Sequence, residues 1–349
     1  MQRYDVGAVL WLYVGCSQPD KFNDSGSSAS TVSQPQPTTL FLQDLIEPDM
    51  AGIWNGLVPL DDEGFVFSTM ALVEPGEPMQ LTIRHMNWDL TTRDIDGQSF
   101  VAVTKQTDLP IADHITDHAI VRMNDSLYLA YTGNVQNYLQ LVKTDLYGAR
   151  ESFVVLYDEA PLPANDMMIV AADDQLCMRI GTDGANKFAV CLDPETLEII
   201  LENPIQTPVV TGNLGSAVYH NEEFKVFSGG FDQRDLTVTH YDSQWQPKDP
   251  FEQIIVSSEN REWNWAASGS TYISDFDMWA VAYTNMPANG QADFDARGRL
   301  DLYDADWNLI DRSEFGEMAT HRPHLLWKSP HLLLSYDAGP VVIRRYELQ

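Results

Sequence analysis

Basic residues are scarce in this sequence. Its 349 residues include 21 Lys and Arg against 51 Asp and Glu, which gives a formal net charge of −30. Such a surface repels nucleic acid phosphates and anionic lipid head groups, and no run of Lys and Arg forms a local basic patch. Nucleic acid is therefore not an expected partner. The acidic excess suits a cation, a basic partner or simply a soluble surface.

Long apolar runs are missing as well. The apolar run near the N-terminus, residues 6–15 (VGAVLWLYVG), has ten residues, whereas a helix needs about 20 to cross a bilayer. With Arg3 ahead of it, the run fits the hydrophobic region of a signal peptide over residues 1–15.

The end of that run resembles a lipidation signal. Val14, Gly15 and Cys16 match the lipobox of bacterial lipoproteins, and Tyr13 stands where these proteins usually have leucine. The resemblance covers only the first 16 residues. It implies that Cys16 is acylated and becomes the mature N-terminus, so that an exported protein is held on the bacterial cell envelope, in the periplasm or at the cell surface. An ordinary cleaved signal and an uncleaved apolar N-terminus are the alternatives.

A polar segment follows the cysteine. Residues 17–38 are rich in Ser, Gln and Pro and have few large apolar side chains, which is typical of a flexible tether. The sequence thus predicts a signal peptide at 1–15, a tether at 16–38 and a folded domain at 39–349. We expect the domain to be a monomer that meets the membrane only through its lipid anchor.

Two of the three cysteines remain for the folded domain. Cys177 and Cys191 lie in strand-like runs on either side of a turn around Gly184, and a hairpin folded there places them opposite each other. Facing positions come close enough for a disulfide, and an exported compartment permits one. We predict a Cys177–Cys191 disulfide, with two buried free thiols as the alternative.

The folded domain shows almost no helical periodicity and many short strand-like runs. An aliphatic run ending in tyrosine recurs at 127–131, 279–283 and 332–336, and a second run then closes on an aspartate at a turn. These aspartates are Asp89, Asp145, Asp193, Asp242 and Asp304. Successive members are 56, 48, 49 and 62 residues apart. A blade of four short strands needs roughly 40–50 residues, so the repeat predicts a β-propeller.

Six such units can be counted. The last, residues 321–349, supplies only three strands, while residues 39–46 form a strand with no blade of its own. Closing the ring with this N-terminal strand removes exposed sheet edges. The predicted fold is therefore all-β, with six four-stranded blades closed by the N-terminal strand. Seven blades or a pair of β-sandwiches are the alternatives.

The ligand site of a propeller usually lies where the innermost strands begin, because loops there concentrate function. The loops predicted to lead into these strands carry Trp, His, Asn and Arg side chains, which suit a sugar or a small polar ligand. The predicted ligand-binding residues are Trp54, His114, His118, Trp263, Asn264, Trp265, His321, Arg322 and His324. Strand packing and loop ordering are the alternative roles.

No cofactor is predicted, although the sequence also allows a bound Ca²⁺. Alternate aspartates that could ligate it occur at Asp275 and Asp277, Asp293 and Asp295, and Asp304 and Asp306. Such pairs commonly stabilise turns, and no 12-residue calcium loop is present. His114 and His118 could instead ligate zinc, but their spacing matches no zinc motif.

Motifs for common catalytic chemistry are missing. The sequence has no Gly-x-Ser-x-Gly, no phosphate-binding glycine loop and no His-Glu-x-x-His. The leading function is a binding or scaffolding module for a protein or a glycan, and a rigid spacer is another possibility. The main alternative is a polysaccharide-degrading lyase or hydrolase that uses His114, His118, Arg322 and His324. An enzyme gathers ionisable groups with perturbed pKa values, whereas a binding module presents a flatter aromatic patch.

Overall fold

A computed structural model of the chain describes most of residues 37–349. Outside the described part lie residues 1–36, 38, 47–51, 61, 63, 72–79, 107–114, 134–138, 158–164, 182–186, 206–213, 230–234, 257–262, 288–296, 317–320 and 339–340. The predicted signal peptide, Cys16 and nearly all of the predicted tether fall there and stay predictions. The described residues belong to one compact unit, Pro37–Gln349. None of their helices is long and apolar enough to cross a membrane.

The described chain consists of β-strands and one short 3₁₀ helix, Val103–Gln106. Strand β1 is Leu40–Ile46. The strands of blade 1 are β2 (Gly52–Pro59), β3 (Gly64–Ala71), β4 (Gln80–Asn87), and β5 (Thr92–Arg93) and β6 (Val101–Ala102), which both pair with β4. Those of blade 2 are β7 (Ile115–Met123), β8 (Ser126–Gly133), β9 (Leu139–Asp145) and β10 (Arg150–Tyr157).

The remaining blades follow the same antiparallel order. Those of blade 3 are β11 (Asn165–Ala172), β12 (Gln175–Gly181), β13 (Lys187–Leu192) and β14 (Ile199–Ile205). Those of blade 4 are β15 (Leu214–His220), β16 (Glu223–Gly229), β17 (Leu236–Asp242) and β18 (Pro247–Val256). Those of blade 5 are β19 (Trp263–Ile273), β20 (Met278–Pro287), β21 (Arg297–Asp304) and β22 (Leu309–Phe315).

The last blade closes the ring. It combines β23 (His321–Lys328), β24 (His331–Asp337) and β25 (Val341–Leu348) with β1, in the order β1-β25-β24-β23. Leu40 pairs with Leu348, and Ile46 pairs with Ile343. The predicted six-bladed propeller and its closing N-terminal strand are confirmed, and the alternatives of seven blades or β-sandwiches are wrong.

The apolar core is divided among the junctions between blades. Six clusters of buried side chains each contain residues of two neighbouring blades, so every blade contributes to two clusters. In the cluster between blades 2 and 3, for example, Leu141 packs with Met178 and Leu192. Burying one such side chain stabilises the fold by about 1.5–3 kcal/mol. Packing between faces of adjacent sheets therefore holds the ring together.

The recurring aspartates build the turns between the third and fourth strands of the blades. The Oδ1 atom of Asp242 accepts hydrogen bonds from the backbone N–H groups of Gln244 (2.9 Å) and Gln246 (2.8 Å). Asp145 and Asp304 accept from the N–H groups at the same two offsets, and Asp193 accepts from those of Glu195 and Thr196. A polar side chain that ties up nearby N–H groups favours a turn over a continuing strand. The recurring aspartates therefore have a structural role in the blades, because they form the turns between the third and fourth strands.

Blade 1 departs from the predicted repeat. Its turn is closed by backbone bonds from Asn87 N to Thr91 O and from Leu90 N to Asn87 O, the pattern that Asp242 makes in blade 4. The residue equivalent to the other turn aspartates is therefore Asn87, not Asp89. Asp89 lies inside the turn, where its carboxylate accepts hydrogen bonds from Thr91. Both residues are polar turn formers, which is why the sequence pattern alone did not separate them.

Two of these turns contain a tryptophan that packs into a junction between blades. Trp245 and Trp307 adopt positive φ angles of 57° and 65°, and each donates its backbone N–H to the backbone carbonyl of the turn aspartate, Asp242 or Asp304. Trp245 is buried against Phe224, with ring centroids 4.2 Å apart, and Trp307 stacks on Trp279 at 5.4 Å. An indole buries a large apolar area. The turn thus aims a large side chain into the adjacent cluster.

Cys177 and Cys191 face each other in the hairpin of β12 and β13, as the predicted turn requires. Their sulfur atoms lie 2.09 Å apart and form a disulfide. Both residues are fully buried in the cluster between blades 3 and 4. The bond joins the two central strands of one blade.

A second polar feature lies inside blade 5, where Asp301 on β21 is fully buried. Arg312 on β22 donates to both carboxylate oxygens, each at 2.7 Å. The hydroxyls of Tyr283 and Tyr303 also donate to the carboxylate, each at 2.8 Å. We call Asp301, Arg312, Tyr283 and Tyr303 the blade 5 network. Its charges are paired and hydrogen-bonded, the condition under which a buried ion pair is tolerated.

Candidate functional site

The six innermost strands enclose a central channel of about 490 Å³. Every one of them contributes to its wall, for instance Gly56 of β2, Ile120 of β7 and Gly269 of β19. Two glycines allow these strands to approach closely, because a Cβ at Gly56 would lie 2.7 Å from Ile120 and one at Gly269 would lie 2.3 Å from the Pro323 carbonyl oxygen. The channel has the volume of a small-molecule site.

Most of the predicted site residues lie in inner strands rather than in the loops before them. His118 lies in β7, Trp54 in β2, Trp263, Asn264 and Trp265 in β19, and His321, Arg322 and His324 in β23. The loop assignment was wrong because irregularities in pairing, such as those at Ile115/Asp117 and His321/His324, let the strands begin earlier. His114 lies outside the described residues, as do the side chains of Trp54, Trp263, Asn264, Trp265 and His321.

His118 is buried near the start of β7. Its Nε2 atom lies 3.0 Å from the Ser68 hydroxyl of blade 1, and its Nδ1 atom has no hydrogen-bond partner among the described residues. Burial, with smaller contributions from His324 and Arg322 nearby, lowers the pKa of His118 to about 3. The side chains of blades 2 and 6 thus influence each other electrostatically.

His324 and Arg322 approach the same region from blade 6. Burial, together with Arg322, lowers the pKa of His324 to about 4, so both imidazoles are neutral at pH 7. Arg322 Nη1 forms an ion pair with Asp337 Oδ2 at 3.2 Å. The three described site residues, His118, Arg322 and His324, thus lie within electrostatic range of one another.

Asn55 links blade 1 to blade 6. Its Nδ2 atom donates to Asp337 Oδ1 (2.8 Å) and to the Arg322 carbonyl (3.2 Å), and its Oδ1 atom accepts from the Ser335 hydroxyl. We use the name polar cluster for the side chains that meet here: Asn55, Ser68, His118, Arg322, His324, Ser335 and Asp337. The cluster spans three blades at the end of the ring where the inner strands begin.

Sequence reasoning missed Ser68, Ser335 and Asp337. All three lie on second strands, β3 and β24, and not in the segments before the inner strands to which the sequence assigned the site. A signal was present, because Ser68 and Ser335 interrupt otherwise apolar runs, Phe-Val-Phe-Ser and Leu-Leu-Leu-Ser. A polar residue in a buried run indicates a hydrogen-bonding role.

No group of three or more His, Cys, Asp or Glu side chains suited to a metal occurs within the described part of the chain. The Asp304 carboxylate is engaged by N–H groups of its own turn, and Asp277 Oδ1 accepts from the Tyr272 hydroxyl at 2.6 Å. These two aspartates therefore have a structural role. Asp293 and Asp295 lie outside the described residues, so the possible Ca²⁺ stays a prediction.

The polar cluster offers hydrogen bonds with little net charge. A neutral imidazole is both a donor and an acceptor, and Asn55 and the two serines also combine both functions. Arg322 is compensated by Asp337. Such groups pair well with hydroxyls. They are poorly suited to acid–base catalysis near pH 7, because imidazoles with pKa values of about 3 and 4 stay neutral there and are weak bases.

Comparison with known proteins supports the architecture. No protein-family model and no curated protein sequence matches the chain. A solved member of the DUF4221 family from Bacteroides vulgatus has a TM-score of 0.53 at 10% identity, covering 90% of this chain and 99% of that one. The GH43B structure of a xyloglucan PUL from Bacteroides ovatus has a TM-score of 0.53 at 12% identity, covering 85% of this chain and 64% of that one.

A third similar structure is the SapL1 lectin in complex with alpha methyl fucoside. Its TM-score is 0.51 at 9% identity, covering 82% of this chain and 89% of the lectin. Identities this low show a shared propeller fold and do not transfer function. The chain is a six-bladed β-propeller with a polar cluster at one end of its central channel.

Proposed function

We propose that this protein is a binding module for neutral glycans and that the polar cluster takes part in recognition. The observation that carries the proposal is the convergence of His118, Arg322 and His324 with Asn55 where the inner strands begin. Buried, orientated donors and acceptors are what fixes a polar ligand in a small-molecule site.

The charge balance favours neutral glycans over acidic ones. The chain carries a formal net charge of −30, and such a field repels anionic ligands. Arg322, the cation of the polar cluster, is paired with Asp337. Its remaining capacity suits hydroxyl groups better than a second carboxylate.

The similar structures support a carbohydrate ligand only by association. One is GH43B of a xyloglucan PUL and another is a lectin in complex with alpha methyl fucoside. The predicted lipid anchor on Cys16 would place such a module on the cell envelope. The lipid anchor is tested separately: if Cys16 is acylated, the Cys16→Ser variant should be released from the membrane fraction.

Titration of the full chain with a panel of neutral oligosaccharides tests the proposal. We expect binding by at least one oligosaccharide and a loss of about tenfold or more in affinity in His324→Ala, because a site built to hydrogen-bond hydroxyls loses a partner. His331→Ala is the matched control, since His331 lies in the same blade at the opposite end of the β23–β24 hairpin. Equal affinities in the two variants, or no binding by any oligosaccharide, would contradict the proposal.

A polysaccharide-degrading lyase or hydrolase is the second candidate. The specific observation in its favour is that two imidazoles with strongly shifted pKa values meet in one cluster. These shifts nevertheless move the pKa values of both imidazoles away from neutral pH, so neither group is a strong acid–base catalyst there. Incubating the same oligosaccharides with the protein separates the candidates, because an enzyme shortens them and a binding module leaves them intact.

A further inference from the structure

The polar cluster and the central channel share one residue. His324 belongs to the polar cluster, and its half-buried side chain also lines the channel. Its neutral imidazole carries one donor and one acceptor nitrogen. A glycan held by the polar cluster therefore lies next to the channel.

The channel wall is rich in backbone hydrogen-bonding groups. In the described part of the chain, the innermost strands β2, β7, β11, β15, β19 and β23 each lie at the end of their sheet. An edge strand presents a row of N–H and C=O groups that no neighbouring strand pairs with, and all six strands contribute to the channel wall. Such groups need hydrogen-bond partners, which water or the hydroxyls of a ligand supply.

Two side-chain hydroxyls add to this wall. Ser216 of β15 and Ser270 of β19 both line the channel, and their Oγ atoms lie 2.7 Å apart. Two hydroxyls that share one hydrogen bond still have one donor and further lone pairs for a ligand. Next to Ser270, a Cβ at Gly269 would lie 3.0 Å from the Cα of His324, so β19 and β23 approach closely at this level. We call Ser216, Ser270 and His324, which belong to blades 4, 5 and 6, the channel arc.

The wall has no opening along its side between the described blades. Neighbouring blades pack against each other all round the ring through the six apolar clusters. The enclosed volume of about 490 Å³ is in the lower part of the range for small-molecule sites, about 300–1,000 Å³. One end of a glycan can enter such a channel along its axis, whereas the middle of a polymer would have to be threaded through from an end.

From these features we propose that the protein recognises a glycan by its chain end, with the terminal sugar unit inside the channel against the channel arc. This inference rests on the proposed glycan binding and names the part of the glycan that is bound. A terminal unit has one more free hydroxyl than an internal unit, because no glycosidic bond occupies that position. A wall with many donors and acceptors to satisfy favours the unit with more free hydroxyls.

Calorimetric titration of the full chain with linear oligosaccharides of glucose, xylose and mannose tests the proposal, each series running from two to six units. For a series that binds, we expect the affinity per molecule to change by less than about threefold between four and six units, because the added units lie outside the channel. A soluble polymer of the same sugar should bind one protein molecule for each recognised end, whatever its length. Light scattering of the complexes measures this stoichiometry.

Two substitutions test whether the ligand enters the channel. Ser216→Leu fills the channel at the level of the channel arc and should weaken binding by about tenfold or more. Ser216→Ala leaves the channel open and removes one hydroxyl, and it should weaken binding by about threefold to tenfold. Ser243→Leu is the matched control, because Ser243 is exposed in the turn after β17, and it should leave the affinity unchanged. Melting temperatures show whether each variant is folded, and Ser216→Ala keeps the test available if the leucine variant does not fold.

The chain-end proposal is overturned if several protein molecules bind along one polymer chain, or if affinity keeps rising steeply with length. It is also overturned if folded Ser216→Leu and Ser243→Leu bind equally well, since the ligand then stays outside the channel. In each of these cases glycan binding itself stands. If no oligosaccharide binds, the proposed glycan binding fails, and the chain-end proposal fails with it.

Discussion

The blade 5 network and the polar cluster are both buried and polar, but they differ in where their hydrogen-bond partners come from and in how many of their polar atoms have one. In blade 5, two tyrosine hydroxyls and one guanidinium surround Asp301, and all four residues belong to one sheet. The polar cluster instead draws on three blades and leaves the Nδ1 atom of His118 without a partner among the described residues. A satisfied network rigidifies a fold, whereas an incomplete one is available to a ligand.

The largest effect should come from breaking the satisfied network. Asp301→Ala leaves Arg312 without its carboxylate and removes the acceptor of two buried tyrosines, which should cost about 3 kcal/mol in the free energy of unfolding. Denaturant titration measures this loss. Glu314→Ala is the control, because it removes an exposed acid of the same blade that lies 3.6 Å from Arg299, and it should cost about 0.5 kcal/mol or less. Equal costs would show that the blade 5 network is not what stabilises this sheet.

An intermediate effect should appear when the polar cluster is acidified. The folded state holds His118 and His324 neutral down to pKa values of about 3 and 4, whereas the unfolded chain takes up protons below its ordinary pKa of 6.5. Stability contributed by these groups is therefore complete above pH 6.5 and is lost as the pH falls towards 4. Each imidazole should cost about 2 kcal/mol between pH 7 and pH 5.

His118→Asn isolates this contribution, because an amide can keep the hydrogen bond to Ser68 but does not titrate. Unfolding free energies measured from pH 7 to pH 5 should fall less steeply in the variant than in the unmodified protein. Parallel pH profiles would mean that His118 is accessible to protons in the folded state, and the contrast between the two networks would weaken.

The smallest effect is expected in a network that is satisfied but exposed. Asp304 Oδ1 accepts from the N–H groups of Asp306 (2.9 Å) and Asn308 (2.8 Å), and these bonds lower the pKa of Asp304. Asp304→Ala should cost about 1 kcal/mol, as for the loss of other local caps. Asp306→Ala removes the same charge from the same turn and should cost less. Thermal unfolding of both variants gives the comparison, and identical melting temperatures would remove the proposed role of the turn aspartates.

The architecture could be predicted because it repeats. Strand runs and turn aspartates recur at blade spacing, and the unpaired strand at residues 39–46 left one solution for the incomplete last blade. The error at Asp89 shows the limit of this reasoning. Asn87 and Asp89 are both turn residues two positions apart, and only the backbone bonds of Leu90 and Thr91 identify which one begins the turn.

The candidate site could be predicted only in part. His118, Arg322 and His324 were found because inner strands have a known place in a propeller. Asn55, Ser68 and Asp337 were not among the predicted site residues, because their roles depend on which blades become neighbours across the ring closure.

The closing strand has a consequence for how the molecule unfolds. Open arrays of repeats have end units with one neighbour each, and they can lose structure from an end inwards. In this protein the cluster between blades 1 and 6 gives each blade two neighbours, and the pairing of β1 with β25 ties the start of the folded chain to its last blade. Damage to any blade therefore weakens two junctions at once. The ring should melt as one cooperative body, and detaching β1 would remove the strand pairing that ties the first residues of the folded chain to its last blade.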